Sequence, residues 1–225
     1  MRQPLWKRLL SYLTEIHIES APSEINPHLY VSLKRGRYQL CTANAIYSYE
    51  DLYDNFSTAF EHMKWEELDI QRVLILGFGL GSIPLILEQQ FQKKYHYTAI
   101  EIDENVLYLA NKYALPAIHS PIELICADAA AFVAQCQEQF DMIAVDVFLD
   151  DTIPDTIQQS DFLRQLRSIL NPNGVLLYNR LAVTREDIEG AHEFYDRYFS
   201  RVFESGTFLE VKGNWMLFNR SDVLK

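Results

Sequence analysis

A glycine-rich segment follows a short apolar run near the middle of the chain. Residues 72–76 read RVLIL, and residues 77–82 read GFGLGS. Without side chains, Gly77, Gly79 and Gly81 allow the backbone to turn tightly and to approach a ligand closely. A helix that begins directly after such a loop presents unpaired N–H groups and the positive end of its dipole. The segment therefore predicts a nucleotide-binding loop, with a purely structural strand-to-helix turn as the alternative.

The spacing of these glycines separates two kinds of nucleotide loop. The dinucleotide fingerprint G-x-G-x-x-G would require glycine where this chain has Ser82. The G-x-G-x-G spacing instead favours a loop that holds a nucleoside of the S-adenosylmethionine (AdoMet) type over one that holds NAD.

Two acidic residues lie at the end of the next predicted strand, which covers residues 97–102. A carboxylate at this point can accept hydrogen bonds from both hydroxyl groups of a ribose. Glu101 lies about one βαβ unit beyond Gly77, which is the distance that such a ligand requires. Asp103 directly precedes a predicted helix and is well placed to cap it. We predict that Glu101 binds the ribose and that Asp103 is structural.

The segment Ala127-Asp128-Ala129 follows the third predicted strand. The carboxylate of Asp128 can accept a hydrogen bond from the exocyclic amine of an adenine, and the small side chain of Ala129 leaves room for the ring. The same carboxylate can alternatively cap the helix that starts at Ala129. We predict that Asp128 and Ala129 belong to the nucleoside site.

A further aspartate closes the fourth predicted strand, residues 141–145. Asp146 would face the crevice beyond the strand ends, where it could accept a proton from an amine nucleophile or orient that nucleophile. A hydrogen bond to a loop N–H group is the structural alternative. The following loop is acidic and could attract a cationic acceptor; it contains Asp150, Asp151 and Asp155.

The elements that position these residues alternate along the chain. From residue 71 onward, short apolar runs that indicate buried strands alternate with segments of helical periodicity. This order predicts right-handed βαβ units and a mainly parallel sheet, whose ligands bind beyond the carboxyl ends of the strands. The predicted strands are 72–76, 97–102, 122–126, 141–145 and 175–178, with a turn at 171–174 and a closing hairpin at 208–218.

The front of the chain has a different pattern. Residues 28–33 and 38–41 are strand-like and flank the turn Lys34–Arg37, and residues 49–60 have helical spacing. We predict an N-terminal helix with a small β-rich domain over residues 1–68. A Rossmann-like, seven-stranded α/β domain is predicted over residues 69–225.

Composition and charge restrict the function. The chain has 225 residues, of which 48% are hydrophobic, and a formal net charge of −11. Repulsion from phosphates argues against a nucleic-acid partner, whereas a small neutral or cationic acceptor fits the acidic balance. The N-terminal apolar stretch is too short and too interrupted for a signal peptide or a membrane span. An amphipathic helix that docks on its own protein, or on the second subunit of a homodimer, is the favoured interpretation.

The spacing of the cysteines and histidines does not indicate a metal site. The three cysteines are widely spaced, and the six histidines show no ligand spacing. The odd number and wide spacing of the cysteines favour a reduced, cytoplasmic setting. No Ser/His/Asp order with a nucleophile elbow is present, so hydrolytic and metal-dependent reactions have no support.

Four segments together resemble one known family. VLILGFGLGS, AIEIDENVLYLANKY, ICADAAAFV and FDMIAVDVF are similar to the spermidine-synthase-like branch of the class I AdoMet-dependent methyltransferase superfamily. The resemblance extends over about residues 29–218. It implies that Glu101 is the ribose ligand, Asp128 the adenine ligand and Asp146 the catalytic aspartate. It also places Tyr53 near a family tyrosine that lines the acceptor pocket.

Two departures from the family pattern concern the acceptor. Spermidine synthases have an aspartate where this chain has Leu80, and a second loop aspartate where it has Leu149. Asp150, one residue further on, is a candidate substitute. We therefore expect a transferase that uses AdoMet, or decarboxylated AdoMet, on a small acceptor such as an amine. Methyl transfer is placed slightly ahead of aminopropyl transfer, and a non-catalytic nucleotide-binding or dimerising module is the third alternative.

Overall fold

The computed structural model describes residues 3–43, 45–150 and 152–225. Within these ranges the chain forms two sheets, one of four antiparallel strands and one of seven mixed strands. The larger sheet has helices on both faces and gives the protein the Rossmann-like α/β fold of the methyltransferase type that the alternating pattern predicts. The division at residues 68 and 69 stays a prediction. Helix α2 (Asp54–Glu61), which precedes it, packs Phe56 and Phe60 into the same apolar cluster as Val73 of the larger sheet.

The small sheet has the strand order β1-β2-β3-β4. Its strands are β1 (Ile16–Ser20), β2 (Tyr30–Lys34), β3 (Arg37–Cys41) and β4 (Ile46–Ser48). The predicted hairpin is β2–β3, which turns through Arg35 and Gly36, both with positive φ. Strand β1 was not predicted, because it is short and none of its side chains is buried. Helix α1 (Leu5–Leu10) precedes the sheet and buries none of its residues.

The large sheet has the order β10-β11-β9-β8-β5-β6-β7, in which only β11 runs against the others. Side chains of its central strand alternate between two apolar clusters: Val73 and Ile75 face one, and Leu74 and Leu76 face the other. Burial on both faces explains why this strand reads as an unbroken apolar run. The strands are β5 (Arg72–Leu76), β6 (His96–Glu101), β7 (Ile122–Cys126), β8 (Phe140–Val145), β9 (Leu170–Leu181), β10 (Thr207–Val211) and β11 (Asn214–Phe218).

Helices that alternate with the strands along the chain cover the large sheet. They are α3 (Ser82–Gln89), α4 (Glu104–Tyr113), α5 (Ala129–Gln135), α6 (Ser160–Ile169) and α7 (Arg185–Phe194). Helix α7 opens with a capping box, in which Thr184 and Asp187 exchange hydrogen bonds. After α7 the chain continues as a π-helical turn over Tyr195–Phe199 and ends in a short helix α8 (Ser200–Val202).

Two sequence predictions of local structure were wrong. Residues 171–174 are not a separate turn but lie within the twelve-residue strand β9. The pairing register shifts there, from Phe140 opposite Leu170 to Met142 opposite Val175, so the Asn-Pro-Asn-Gly segment protrudes from a continuing ladder. The predicted helix over 49–60 is a 3-10 turn at Glu50–Leu52 followed by α2, with Tyr53 between them.

The parallel core brings the carboxyl ends of β5, β6, β7 and β8 to one edge of the sheet. The small sheet contacts this edge through Ser48 at the end of β4, which lies beside Gly79 of the glycine segment. Among the described residues, no helix is long and apolar enough to cross a membrane.

Candidate active site

A cavity of about 700 Å³ opens at this edge of the sheet. Its size falls within the range of pockets that enclose small-molecule ligands. It is lined by residues from both sheets, among them most of the predicted site residues: Tyr53, Gly77, Gly79, Glu101, Asp128, Ala129, Asp146 and Asp150. The structure therefore brings most of the predicted site residues together at one cavity, and the functional role of each stays a prediction.

The glycine loop forms one wall of the cavity. Gly77 and Gly79 line it, and both have positive φ. A Cβ at Gly77 would lie 2.2 Å from the carbonyl oxygen of Asp146, so only glycine fits. Gly81 does not line the cavity: it caps α3 at φ +68° and packs against Phe78 and Ile118. Its place in the loop is conformational, in contrast to the ligand contact predicted for it.

Ser82 has a role that the loop spacing did not reveal. Its hydroxyl lies 2.7 Å from the Ser48 hydroxyl and accepts a hydrogen bond from the Tyr49 N–H group at 3.0 Å. Ser82 is buried and joins the first turn of α3 to the small sheet. A glycine at this position, as in the dinucleotide fingerprint, would remove that connection.

Glu101 is held at the cavity wall by two backbone groups. Its Oε2 accepts a hydrogen bond from the Gly79 N–H group at 3.1 Å, and its Oε1 accepts one from the Asp103 N–H group at 3.2 Å. Burial raises the pKa of Glu101, and these two hydrogen bonds oppose the rise. A carboxylate offers about four acceptor sites, so both oxygens can also accept from ribose hydroxyls. The geometry fits the predicted role.

Asp103 has the structural role predicted for it. It caps α4 by accepting a hydrogen bond from the Asn105 N–H group at 2.9 Å. Its other oxygen accepts hydrogen bonds from Ser23 and from Asn26, the latter at 2.7 Å. Asp103 therefore fastens the segment between β1 and β2 to the large sheet.

Asp128 combines the two roles that the sequence left open. One oxygen caps α5 by accepting a hydrogen bond from the Ala131 N–H group at 2.8 Å. The residue is exposed and also lines the cavity, next to Ala129 at the first position of the helix. Among the described residues its second oxygen makes no hydrogen bond, so it can accept one from an adenine amine.

Asp146 lies at the centre of a polar group on the cavity wall. Its Oδ1 accepts a hydrogen bond from Asn179 Nδ2 at 2.8 Å and lies 3.4 Å from the Tyr53 hydroxyl. Burial raises the pKa of Asp146 to about 7, Asn179 and Tyr53 oppose the rise, and the charge of Glu101 adds to it. Burial and the Asp146 charge likewise raise the pKa of Tyr53 well above its ordinary value, so Tyr53 is a donor. A carboxylate with a pKa near neutrality is suited to proton transfer.

Asp150 is directed towards the small sheet. Its carboxylate accepts a hydrogen bond from Thr42, and its backbone N–H group donates to the Tyr47 hydroxyl. The Tyr47 hydroxyl in turn donates to Asn26 at 2.7 Å. These contacts fix the loop after β8. The acceptor role of Asp150 stays a prediction, and its neighbour Asp151 lies outside the described residues.

Several cavity residues were not identified from the sequence. Asn179 and Asn214 come from β9 and β11, and Thr184 and Asp187 come from the start of α7. Their signal is weak because an amide within an apolar strand, or a capping box, has an ordinary structural explanation. Asp187 accepts a hydrogen bond from the Thr184 N–H group at 2.8 Å while lining the cavity. Among the described residues, no group of three or more His, Cys, Asp or Glu could hold a metal ion.

The fold and the cavity together define an α/β protein of the AdoMet-dependent methyltransferase type. The chain belongs to the spermine/spermidine synthase domain family, which it matches over residues 57–218.

The individual proteins that this chain resembles include polyamine aminopropyltransferases and methyltransferases. A probable polyamine aminopropyl transferase of Bifidobacterium longum is 34% identical over 106 residues, covering 47% of this chain and 23% of that protein. Spermidine synthase from Thermotoga maritima is similar in fold, with a TM-score of 0.69 at 18% identity over 90% of this chain and 72% of that one. The structure of human methyltransferase-like protein 13 in complex with SAH is also similar, with a TM-score of 0.57 at 25% identity. The match covers 68% of this chain and 72% of that one. Matched stretches cover less than half the length of the curated aminopropyltransferases.

Proposed function

We propose that this protein transfers an aminopropyl group from decarboxylated AdoMet to a small amine. The observation that carries the proposal is the half-buried carboxylate of Asp146, which shares one cavity with Glu101, Asp128 and the glycine loop. The family match over residues 57–218 and the aminopropyltransferase relatives support this donor. They reverse the order in which the sequence alone ranked methyl and aminopropyl transfer.

The cavity residues fit an adenosyl sulfonium substrate. Glu101 would accept hydrogen bonds from the ribose hydroxyls, Asp128 would accept one from the adenine amine, and Gly77 and Gly79 let the backbone approach the nucleoside. These residues follow β5, β6 and β7, so the part of the cavity after β8 and β9 is left for the acceptor.

The reaction is an in-line displacement at carbon. The acceptor nitrogen attacks the carbon next to the sulfonium, the N–C bond forms as the C–S bond breaks, and the sulfur leaves with that electron pair as a neutral thioether. The proton that the new ammonium loses goes to the carboxylate of Asp146. The protein contributes mainly by holding nitrogen, carbon and sulfur in line and by accepting this proton.

A diamine needs carboxylates at two points, because an unpaired buried ammonium loses much solvation energy. Asp146 supplies one point. Leu149, which occupies the family position of the second aspartate, lines the cavity and cannot supply the other. Asp187 lines the same cavity from the start of α7, beyond β9, and brings a carboxylate to the acceptor side. Its presence favours a diamine over a monoamine.

Methyl transfer from AdoMet is the second candidate. It is favoured by Leu80, which is buried and brings no carboxylate to the glycine loop, and by the likeness to human methyltransferase-like protein 13. The acceptor would again be a small amine, in keeping with the net charge of −11.

The decisive experiment supplies both sulfonium donors with a panel of monoamines and diamines. We expect an aminopropylated diamine from decarboxylated AdoMet, with methylthioadenosine as the second product. Methylated amine with AdoHcy, and no aminopropyl product, would overturn the proposal in favour of the second candidate. No product from either donor, despite tight nucleoside binding, would leave a non-catalytic nucleotide-binding module.

A further inference from the structure

We infer that Asn179 is a positioning residue for Asp146 and that Asn214 holds Asn179 in its working orientation. The inference rests on the proposed function only in naming the reaction that Asp146 serves. The structure itself shows the hydrogen bond from Asn179 to Asp146 and the one from Asn214 to Asn179, whatever reaction the protein catalyses.

The strand pairing brings the three side chains together. Val145 at the end of β8 is opposite Tyr178, so Asp146 follows alongside Asn179 of β9. Asn214 of β11 is opposite Leu181, and Asn179 is opposite Met216. Asn179 and Asn214 are therefore diagonal neighbours on one face of the sheet, within the reach of amide side chains.

Charge fixes the direction of the hydrogen bonds. An ionised carboxylate only accepts, so Asn179 must donate from Nδ2 to Asp146 Oδ1, at 2.8 Å. The Asn179 carbonyl oxygen then faces β11, where Asn214 Nδ2 donates to it at 2.9 Å. Asn179 is only 2% exposed, and among the described residues Asn214 is the group that donates to its carbonyl. Asn214 therefore selects the amide orientation that Asp146 requires.

This arrangement makes the two oxygens of Asp146 different. Oδ1 faces Asn179 and the Tyr53 hydroxyl, whereas among the described residues no group donates to Oδ2. Oδ2 is consequently the oxygen available to the acceptor amine. Besides burial and the Asn179 hydrogen bond, two titratable groups shift the pKa of this carboxylate: the neutral Tyr53 hydroxyl, just before α2, lowers it by donating a hydrogen bond, and the charge of Glu101, at the end of β6, raises it.

The sheet supplies a matched control at its opposite end. Asn171 of β9 donates to Asp141 of β8 at 2.6 Å, which repeats the amide–carboxylate pair between the same two strands but away from the cavity. Loss of that pair should affect stability without affecting proton transfer.

The test compares Asn179→Leu, Asn214→Leu and Asn171→Leu by the pH dependence of kcat/KM. In Asn179→Leu the carboxylate of Asp146 loses a hydrogen-bond donor, so the acidic limb of the kcat/KM profile should move to higher pH by about one unit. At pH 7, kcat should fall by a larger factor than KM changes. Asn214→Leu should move the limb in the same direction by less, and Asn171→Leu should not move it. An unmoved limb in both Asn179→Leu and Asn214→Leu would overturn the inference.

A second readout needs no turnover. Each protein is compared with its Asp146→Asn counterpart by thermal unfolding across pH, and the pH at which the difference levels off reports the folded-state pKa of Asp146. We expect this pH to rise in Asn179→Leu and in Asn214→Leu. A rise without any transfer activity would refute the proposed function and retain the positioning role. No rise would refute the positioning role, whatever the activity. If Asn179→Leu does not fold, Asn214→Leu, at the half-buried end of β11, decides the outcome.

Discussion

The backbone of Gly77 lies directly against that of Asp146, so that a Cβ on Gly77 would be 2.2 Å from the Asp146 carbonyl oxygen and 2.7 Å from its carbonyl carbon. The glycine loop and the loop that carries Asp146 are therefore in contact. This contact explains why a glycine is required at the first position of the segment, independently of any ligand.

Gly77→Ala should damage both stability and the site. The new methyl group would meet backbone atoms, and alanine is strained at φ +85°. We expect a loss of more than about 2 kcal/mol in the free energy of unfolding, measured by urea denaturation. Gly190→Ala is the matched control: it lies within α7, and a Cβ there meets nothing within 4 Å. That variant should gain about 0.5–1 kcal/mol; equal effects at the two glycines would contradict this account.

Glu101→Ala and Asp103→Ala should separate binding from stability. Loss of Glu101 removes charge-assisted hydrogen bonds to the ribose and should weaken nucleoside binding by about 1–3 kcal/mol. Asp103→Ala removes a helix cap and leaves the Ser23 and Asn26 donors unpaired, so we expect about 2 kcal/mol of destabilisation. Calorimetry measures the first effect and thermal unfolding the second. Unchanged nucleoside affinity in Glu101→Ala would remove the ribose assignment.

Asp146→Asn should lower activity while raising stability at neutral pH. Asparagine keeps the shape but accepts a proton poorly, so turnover should fall about a hundredfold or more while nucleoside affinity changes little. Because the folded-state pKa is raised to about 7, the protonated carboxyl stabilises the native state at low pH. That stabilisation is lost as pH rises from about 4 to 7.

The melting temperature of Asp146→Asn relative to the unsubstituted protein should accordingly increase between about pH 4 and 7 and be level above that range. A difference that is constant across pH would contradict the raised pKa of Asp146.

Asp187→Asn tests the second anchor of a diamine. Asparagine can still accept the hydrogen bond from the Thr184 N–H group, so the capping box is largely kept. Loss of the negative charge should raise KM for a diamine about tenfold, the equivalent of one charge-assisted hydrogen bond. A monoamine should be much less affected. Equal changes in KM for diamine and monoamine would exclude Asp187 as the anchor.

The side of the cavity that contains the glycine loop, Glu101, Asp128 and Asp146 was predictable because these residues lie at the carboxyl ends of parallel strands. Gly77, Glu101, Asp128 and Asp146 each lie at or within two residues after the end of a strand that is evident in the sequence, and a parallel sheet necessarily brings such ends together. Their secondary roles were partly predictable as well, since a carboxylate before a helix is also a cap, as at Asp103 and Asp128.

The side of the cavity formed by Asn179, Asn214 and Asp187 was not predictable in the same way. Asn179 and Asn214 reach the cavity because β11 is inserted antiparallel beside β9, and this pairing joins segments whose sequence order gives no register. Asp187 reads as an ordinary capping residue until α7 is placed over the cavity. The protruding segment at residues 171–174 was mistaken for a turn because its proline, asparagines and glycine have strong turn preferences. Strand β9 continues through these residues because its later part is paired with β8 on one side and with β11 on the other.

The most direct test of the central claim is a calorimetric and thermal-shift comparison of methylthioadenosine, AdoHcy and NAD with the unsubstituted protein and Glu101→Ala. A cavity built from Gly77, Glu101 and Asp128 should bind a thioether nucleoside and raise the melting temperature by mass action. That shift should be strongly reduced in Glu101→Ala, and NAD should have no effect on either protein. Stabilisation by NAD, with none from methylthioadenosine or AdoHcy, would contradict the account.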